Sequence, residues 1–328
     1  MPRIDLSLPE LWEYRPELPE PPGFDAFWSR TLTEQSAVPL HVSLEPVDNG
    51  LVAVDTFDLT FSGFGGDPVH GWLHLPAAPL RGDGRLAGIV QFQGYNGGRG
   101  MPHEHVFWAL AGYAHLVMDT RGQGSGWTTG ATGDPHGSGP STPGFLTRGI
   151  GHPDAHFYRR VYVDAVRAVE VLRRHELVDG ARVAVTGISQ GGGIALAAGA
   201  LAPLAGQAVA AVMPDVPFLC DFRRAADLPT LDPYAEIGRY LSAHRDEVDL
   251  VFTTLAHFDG AIMGRRATAP ALFSVAVMDT ICPPSTVFAA YRSYAGPKEL
   301  AVYEFNDHEG GGPFQQARQA AWLAEVLR

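Results

Sequence analysis

The chain has 328 residues, 45% of them hydrophobic and 18% charged, a composition that buries a core and excludes wholesale disorder. Asp plus Glu outnumber Lys plus Arg by 36 to 24, a formal charge of −12. No basic surplus exists to neutralise nucleic-acid phosphates or to draw the protein onto an anionic membrane. Two cysteines, Cys220 and Cys282, exclude a disulfide scaffold and a Cys-rich zinc module. Together with an N-terminus that has no basic start followed by an apolar run, they predict a cytoplasmic protein.

In chain order, residues 1–50 are Pro-rich, with one short helical piece at Phe24–Glu34, and read as an arm laid on the body. Leu51–Phe61 alternates apolar and polar residues as a half-exposed strand does, and Val69–Leu75 repeats the pattern after turn chemistry at Gly63–Pro68. These predict an antiparallel edge to a sheet. The pattern then changes to short apolar runs: Gly88–Gln93, His115–Met118, Arg182–Thr186, Ala208–Met213, Ala271–Val277 and Leu300–Phe305. Such runs fit strands buried on both faces of a parallel sheet. Helical stretches lie among them at Glu104–Ala111, Phe157–His175, Gly191–Ala202 and Ser285–Tyr294, and Pro313–Leu327 closes the chain. Alternation of this kind predicts a three-layer α/β fold with right-handed crossovers, a single domain over residues 1–328.

Two segments break the alternation. Gly122–Thr147 is rich in Gly, Ser, Thr and Pro and reads as a long loop of the kind that is functional or disordered. Phe218–Phe258 is polar and helical and reads as a small cap or interface insertion. The uncharged stretch Val183–Pro214 is long enough to span a bilayer. It also contains Ser189, Pro203, Gln207 and three consecutive glycines, Gly191 to Gly193, so it reads as strand, tight turn, buried helix and second strand.

That tight turn carries the chemistry. Gly187-Ile188-Ser189-Gln190-Gly191 follows the strand RVAVT and precedes a helix of small apolar residues, which is the G-x-S-x-G nucleophile elbow in the context it requires. The turn forces the serine into a strained conformation at a helix N-terminus, where the helix dipole and free N–H groups suit an oxyanion. In an α/β-hydrolase the acid and the histidine follow the serine in that order. Asp279, after ALFSVAVM, and His308, after LAVYEF, each lie just beyond a strand and so on the same rim of the sheet as Ser189. Asp307 and Glu309 flank His308 as rival acids. Two backbone donors are needed for the oxyanion. One falls on the N–H of Gln190, the other on the loop Gly94–Gly100, with Tyr95 as the donor.

QGYNGGRG at 93–100, DTRGQGSG at 119–126, GISQGGG at 187–193, DTICPPSTVFAAY at 279–291 and DHEGG at 307–311 resemble the corresponding segments of carbohydrate esterase family 7, the acetyl xylan esterases and cephalosporin C deacetylases. The resemblance extends over nearly the whole chain, including the FDAFW helix of the arm and YRRVYVDAVRAVE at 158–170. It implies Ser189 as nucleophile, Asp279 as acid, His308 as base, and Tyr95 and Gln190 as oxyanion donors. It also implies that Arg121-Gly122-Gln123 is a structural motif holding the loops under the site. No cofactor is required. The implied substrates are small or oligomeric acetylated esters, and the implied assembly is a doughnut-shaped homo-hexamer with its sites facing an internal cavity. Two positions depart from the family pattern: His156-Phe157 stands where tyrosines are frequent, and Arg292 where Asn is frequent.

Other constellations compete with this reading. His103-Glu104-His105 and His152…His156 have metal-ligand residue types, so a metal-dependent hydrolase is the rival enzyme class, but neither has the HExxH spacing. Gly94–Gly100 as a phosphate cradle lacks both the G-K-[ST] ending and the GxGxxG spacing. Cys282 near Asp279 is conceivable as a thiol nucleophile, yet no helix N-terminus lowers its pKa. A peptidase, or an esterase of different acyl preference, is the nearest alternative, and a binding protein on an inactive hydrolase scaffold the one outside enzymes.

Overall fold

The direction of alternate strand residues sets the architecture. In a computed structural model, which describes residues 3–136 and 139–328, Val90, Phe92, Val183, Val185 and Val212 belong to one large apolar cluster. Their strand neighbours Ile89, Ala184, Ala211 and Met213 belong to a second cluster. Because successive side chains of a strand point to opposite faces, both faces of the central sheet are buried and must be covered by helices.

The elements run α1 (Leu8–Glu13), α2 (Phe24–Ser36), β1 (Val42–Val47), β2 (Val54–Ser62), β3 (Pro68–Pro76), β4 (Leu86–Phe92), α3 (Phe107–Leu110), β5 (Ala114–Met118), α4 (Phe157–Arg174), β6 (Val178–Ile188), α5 (Gln190–Leu201), β7 (Ala211–Asp215), α6 (Phe222–Asp227), α7 (Ala235–Ala243), α8 (Val248–Ala256), α9 (Gly260–Gly264), β8 (Ala271–Ala276), α10 (Pro284–Ser293), β9 (Lys298–Tyr303) and α11 (Gly312–Val326). They form one sheet in the order β1-β2-β3-β5-β4-β6-β7-β8-β9. β1, β2 and β3 pair antiparallel, β3 joins β5 antiparallel, and every pairing from β5 to β9 is parallel. This is an α/β-hydrolase fold. Residues of α4 and α5 pack in the first cluster, whereas Trp108 of α3 and Leu323 of α11 pack in the second.

The predicted strands and the antiparallel edge are present, with ends shifted by a few residues. Three local expectations need correction. Residues 1–50 contain a strand and a second helix, not one helix alone. β1 escaped notice because it is an edge strand exposed along nearly its whole length and so lacks apolar alternation. The helix expected at Glu104–Ala111 is one turn, Phe107–Leu110, because His105 has a positive φ of 54° that α-helix does not allow. The insertion is followed by a short helix, α9, that its apolar sequence hid.

The arm packs on its own body. Leu11 is buried with Val287 and Phe288 of α10, the Tyr14 hydroxyl donates to Asp221 at 2.8 Å, and Asp5 accepts from Arg224 and from the Ser285 N–H, each at 2.8 Å. Arg292, one of the two departures from the family pattern, donates to the Trp12 carbonyl, also within the chain. Among the described residues of Gly122–Thr147 there is neither helix nor strand; Gly137 and Ser138 of that loop lie outside the described residues. No helix is long and apolar enough to cross a membrane among the described residues.

Candidate active site

Ser189 sits between the end of β6 and the start of α5 with φ 58° and ψ −121°, a conformation that costs a non-glycine residue strain. Its surroundings enforce it. The Ser189 N–H donates to the Asp215 carbonyl at 2.9 Å, and its carbonyl accepts from Gly193 at 3.1 Å and Phe218 at 2.9 Å. The flanking glycines are required by close approach. A side chain at Gly187 would overlap the Gly191 backbone, and one at Gly191 the Phe92 carbonyl. The serine is 5% exposed.

Asp279, three residues past the end of β8, is buried, and its two oxygens have different tasks. Oδ1 accepts the N–H groups of Ile281 and Cys282, each at 2.8 Å. Oδ2 lies 2.9 Å from Nδ1 of His308, which reaches in from the loop after β9. The rival acids are engaged elsewhere: Asp307 accepts from the Thr280 N–H at 3.4 Å, and Glu309 from the Asn306 side chain and the Asp307 N–H. Ser189 and His308 line a cavity of about 280 Å³ together with Tyr95, Trp127, Pro233 and Ile281. A larger cavity, about 580 Å³, lies between α2 and α4 and is lined by neither Ser189, Asp279 nor His308. Among the described residues no hydrogen bond joins Ser189 to His308; Ser189 Oγ is 3.9 Å from Cys282 Sγ. Burial first, and the Asp279 charge second, push the Cys282 thiol well up. It is therefore kept protonated and is a poor nucleophile.

No protein acceptor faces the backbone N–H of Tyr95 or of Gln190 among the described residues. The peptides around them are tied together by a glutamine network. Gln123 accepts from the Asn96 N–H at 2.7 Å and donates to Gln190 Oε1 at 2.9 Å. Gln190 in turn donates to the Gln93 carbonyl at 3.1 Å, and Tyr158 donates to Gln190 at 2.8 Å. Two residues before Gln123, the fully buried Arg121 makes a two-pronged bond to Asp164 (2.6 and 2.8 Å) and further bonds to Asp67 at 2.9 Å and Asp134 at 3.4 Å. Gly122 between them has a φ of +68°, so the motif turns the chain sharply from an ion-pair anchor to the glutamine bridge.

A family profile described as acetyl xylan esterase matches residues 1–326. The chain belongs to this family. An acetyl xylan esterase from Paenibacillus sp. R4 is 36% identical, with a TM-score of 0.89 over 98% of this chain and 99% of that one. Acetyl xylan esterase 1 from Thermoanaerobacterium sp. JW/SL YS485 is 30% identical, with a TM-score of 0.87 over 99% and 100% of the two chains. The acetyl esterase Axe7A of Xylanibacter ruminicola is 28% identical over 313 residues, 92% of this chain, which spans 66% of that relative's length. Membership makes the protein a carboxylic ester hydrolase.

In this acetyl xylan esterase family member the competing constellations come apart. His156 caps α4 by accepting from the Tyr158 N–H, its Nε2 faces the Leu146 carbonyl, and its ring stacks on Phe258 at 4.5 Å. Burial lowers its pKa to about 3. His152 lies on the surface against the Asp154 N–H, and Glu104 turns back onto the Met101 N–H. The one trio of His, Cys and acidic residues with closely grouped ligand atoms, among the described residues, is Asp279, Cys282 and His308, within 4.8 Å of one another. The Gly94–Gly100 loop is no phosphate cradle, since its N–H groups at Asn96, Gly97, Gly98, Arg99 and Gly100 are already bonded within the protein. Sequence reasoning missed Trp127, whose indole donates to the Tyr95 carbonyl at 3.0 Å, and Glu236, bonded to the Tyr95 hydroxyl. Trp127 sat inside an apparently featureless loop, and nothing local marks Glu236.

Proposed function

We propose that the protein is a serine esterase that removes acetyl groups from small or oligomeric esters, acetylated xylo-oligosaccharides and cephalosporin C among them, through an acyl-enzyme intermediate. The observation that carries this reading is the 2.9 Å pairing of His308 with the buried Asp279 on the wall of the cavity that Ser189 enters from a strained elbow. Asp279 holds a proton on Nδ1 of His308, which leaves Nε2 free to take the Ser189 proton as Oγ attacks the acetyl carbonyl. The oxyanion that forms is stabilised by the N–H groups of Tyr95 and Gln190. His308 then protonates the departing hydroxyl, and the same imidazole activates water to release acetate. Hydrogen bonds of this kind are often open before substrate arrives and close in the complex. No cofactor enters the scheme. A homo-hexamer with enclosed sites and a cytoplasmic location belong to the same reading; the aromatic side chains of Phe305 and Phe314, each 82% exposed beside the His308 loop, are available to a neighbouring subunit.

The test is Ser189→Ala with an organophosphate label. Wild-type protein is expected to take up one label per chain on Ser189 and lose activity in proportion. Ser189→Ala should lose about 10⁴–10⁶ in kcat while its melting temperature stays close to wild type. Activity within about tenfold of wild type, or labelling elsewhere, would overturn the assignment.

A further inference from the structure

Among the described residues, the buried Glu236 carboxyl has no ion-pair partner. It stands in the first turn of α7 and is 1% exposed. Oε1 accepts the Tyr95 hydroxyl proton. Oε2 accepts the Leu146 N–H at 3.0 Å. The Tyr95 oxygen itself accepts the Phe145 N–H at 2.5 Å. A side chain at Gly144 would overlap the carboxylate, so the 144–146 backbone is wrapped closely around it. The charged groups nearby do not neutralise it, because Arg239 is paired with Asp232 at 2.6 Å. Burial pushes Glu236 up to about 7. Keeping such a group in the interior is costly, and a purely structural contact here could be made by uncharged residues.

The residue it holds is Tyr95. The Tyr95 ring packs edge-on against Phe145 at 5.5 Å and Phe218 at 5.9 Å, and its carbonyl is tied to Trp127. With the hydroxyl held as well, the residue is bonded at both its backbone and its side-chain end. We propose that Glu236 is a positioning residue for the oxyanion hole: by holding the Tyr95 hydroxyl across the 145–146 backbone, it aims the Tyr95 N–H at the oxyanion formed on Ser189. This rests on the reading of Tyr95 as an oxyanion donor. It connects the helical insertion to catalysis, since α7 carries Glu236 141 residues from Tyr95 in sequence. The oxyanion is absent from the bound ester and forms only as the tetrahedral intermediate is approached, so a misaimed donor lowers kcat and leaves substrate binding nearly untouched.

Glu236→Gln and Tyr95→Phe, singly and together, test this with p-nitrophenyl acetate and with an aryl trifluoromethyl ketone whose Ser189 adduct carries the oxyanion. Loss of a whole oxyanion donor costs about 10²–10³ in kcat, and a misaimed one less. Each single variant should therefore lose about 10–100-fold in kcat, with KM within about threefold. Each should bind the ketone more weakly by the same factor as its kcat loss, and the double variant should be no worse than the worse single one. Unchanged kcat per labelled Ser189 with only a lower melting temperature would mean a structural role and overturn the proposal. So would additive losses in the double variant. If Glu236→Gln does not fold, Tyr95→Phe alone decides, because unchanged kcat and ketone affinity in it overturn the proposal. The underlying reading is tested separately by inserting the α-hydroxy acid of tyrosine at position 95, which replaces the N–H with an ester oxygen. If that leaves kcat intact, Tyr95 is not an oxyanion donor, whatever the coupling between Glu236 and the hydroxyl.

Discussion

Replacing Asp279 with Asn isolates the histidine tautomer, because the surrounding structure dictates which way the amide must face. Oδ1 of Asp279 accepts two backbone N–H groups, from Ile281 and Cys282, each at 2.8 Å. Turning the new NH₂ toward them would set donors against donors in a fully buried place, at about 1–3 kcal/mol for each unsatisfied N–H. The amide oxygen therefore stays on that side, and the NH₂ faces Nδ1 of His308, 2.9 Å away. Nδ1 must then accept, the imidazole proton moves to Nε2, and the ring can no longer take a proton from Ser189. The expected loss in kcat is about 10⁴, with little change in KM and a melting temperature close to wild type. Initial rates on p-nitrophenyl acetate, normalised to folded protein, measure it. Loss below about tenfold would refute the reasoning. So would equal damage from Asp307→Asn or Glu309→Gln, which would move the orienting role to an acid that this structure engages elsewhere.

Arg121→Ala should leave the Asp164 carboxylate buried without its cation, a loss of about 3–5 kcal/mol and about 4–7 °C in melting temperature for a chain of this length; a change under 2 °C would show that the ion pairs contribute no stability. Burial pushes Asp215 up to about 7 from the ordinary aspartate value of 3.8, although Gln315 and Gln319 both donate to it. The folded state therefore holds that proton where the unfolded chain has lost it, so its contribution is fully present below about pH 4 and is lost as pH rises through 7. Asp215→Asn, which cannot ionise, should accordingly gain on wild type by several degrees between pH 4.5 and pH 7.5, and a difference independent of pH would contradict the sign. Acetyl preference belongs to the proposed function: butyryl esters should be slower than acetyl esters by about tenfold to several hundredfold if the acyl group meets packed side chains, since forcing extra methylenes into packed surroundings costs about 1–3 kcal/mol. Equal kcat/KM for acetyl and octanoyl esters would remove acetyl selectivity from the proposal.

The parts of this molecule that were readable in sequence are those whose signal is local. The elbow needs glycines two residues either side of Ser189, because Gly187 and Gly191 meet backbone atoms at close range, and that demand shows within five letters. Asp279 and His308 could be proposed from sequence because each follows a strand of the parallel half of the sheet, and parallel strands bring such loop residues to one rim. β1 was missed because solvent, not a core, faces nearly all of its side chains, and the shortened α3 because the positive φ of His105 has no sequence mark. Arg121 was recognisable as part of a structural motif holding the loops under the site, but the groups it binds were not. Its partners Asp67, Asp134 and Asp164 are scattered along the chain, and only the fold gathers them around one guanidinium.

The same division explains why the oxyanion side of the site was less legible than the nucleophile side. In the proposed mechanism Tyr95 and Gln190 act through backbone N–H groups, which every residue but proline possesses, so their side chains look incidental in a sequence. In the structure those side chains are what hold the backbone: Gln190 through Gln123, Gln93 and Tyr158, and Tyr95 through Glu236 and the Phe145 N–H. One network comes from the RGQG turn and the other from the helical insertion. A donor fixed before the reaction begins needs no reorganisation when charge appears on the substrate oxygen. Conservative changes in either network should therefore be felt in kcat ahead of stability, and a variant that kept full turnover while losing its glutamine bridge would argue that the backbone of these turns is rigid without it.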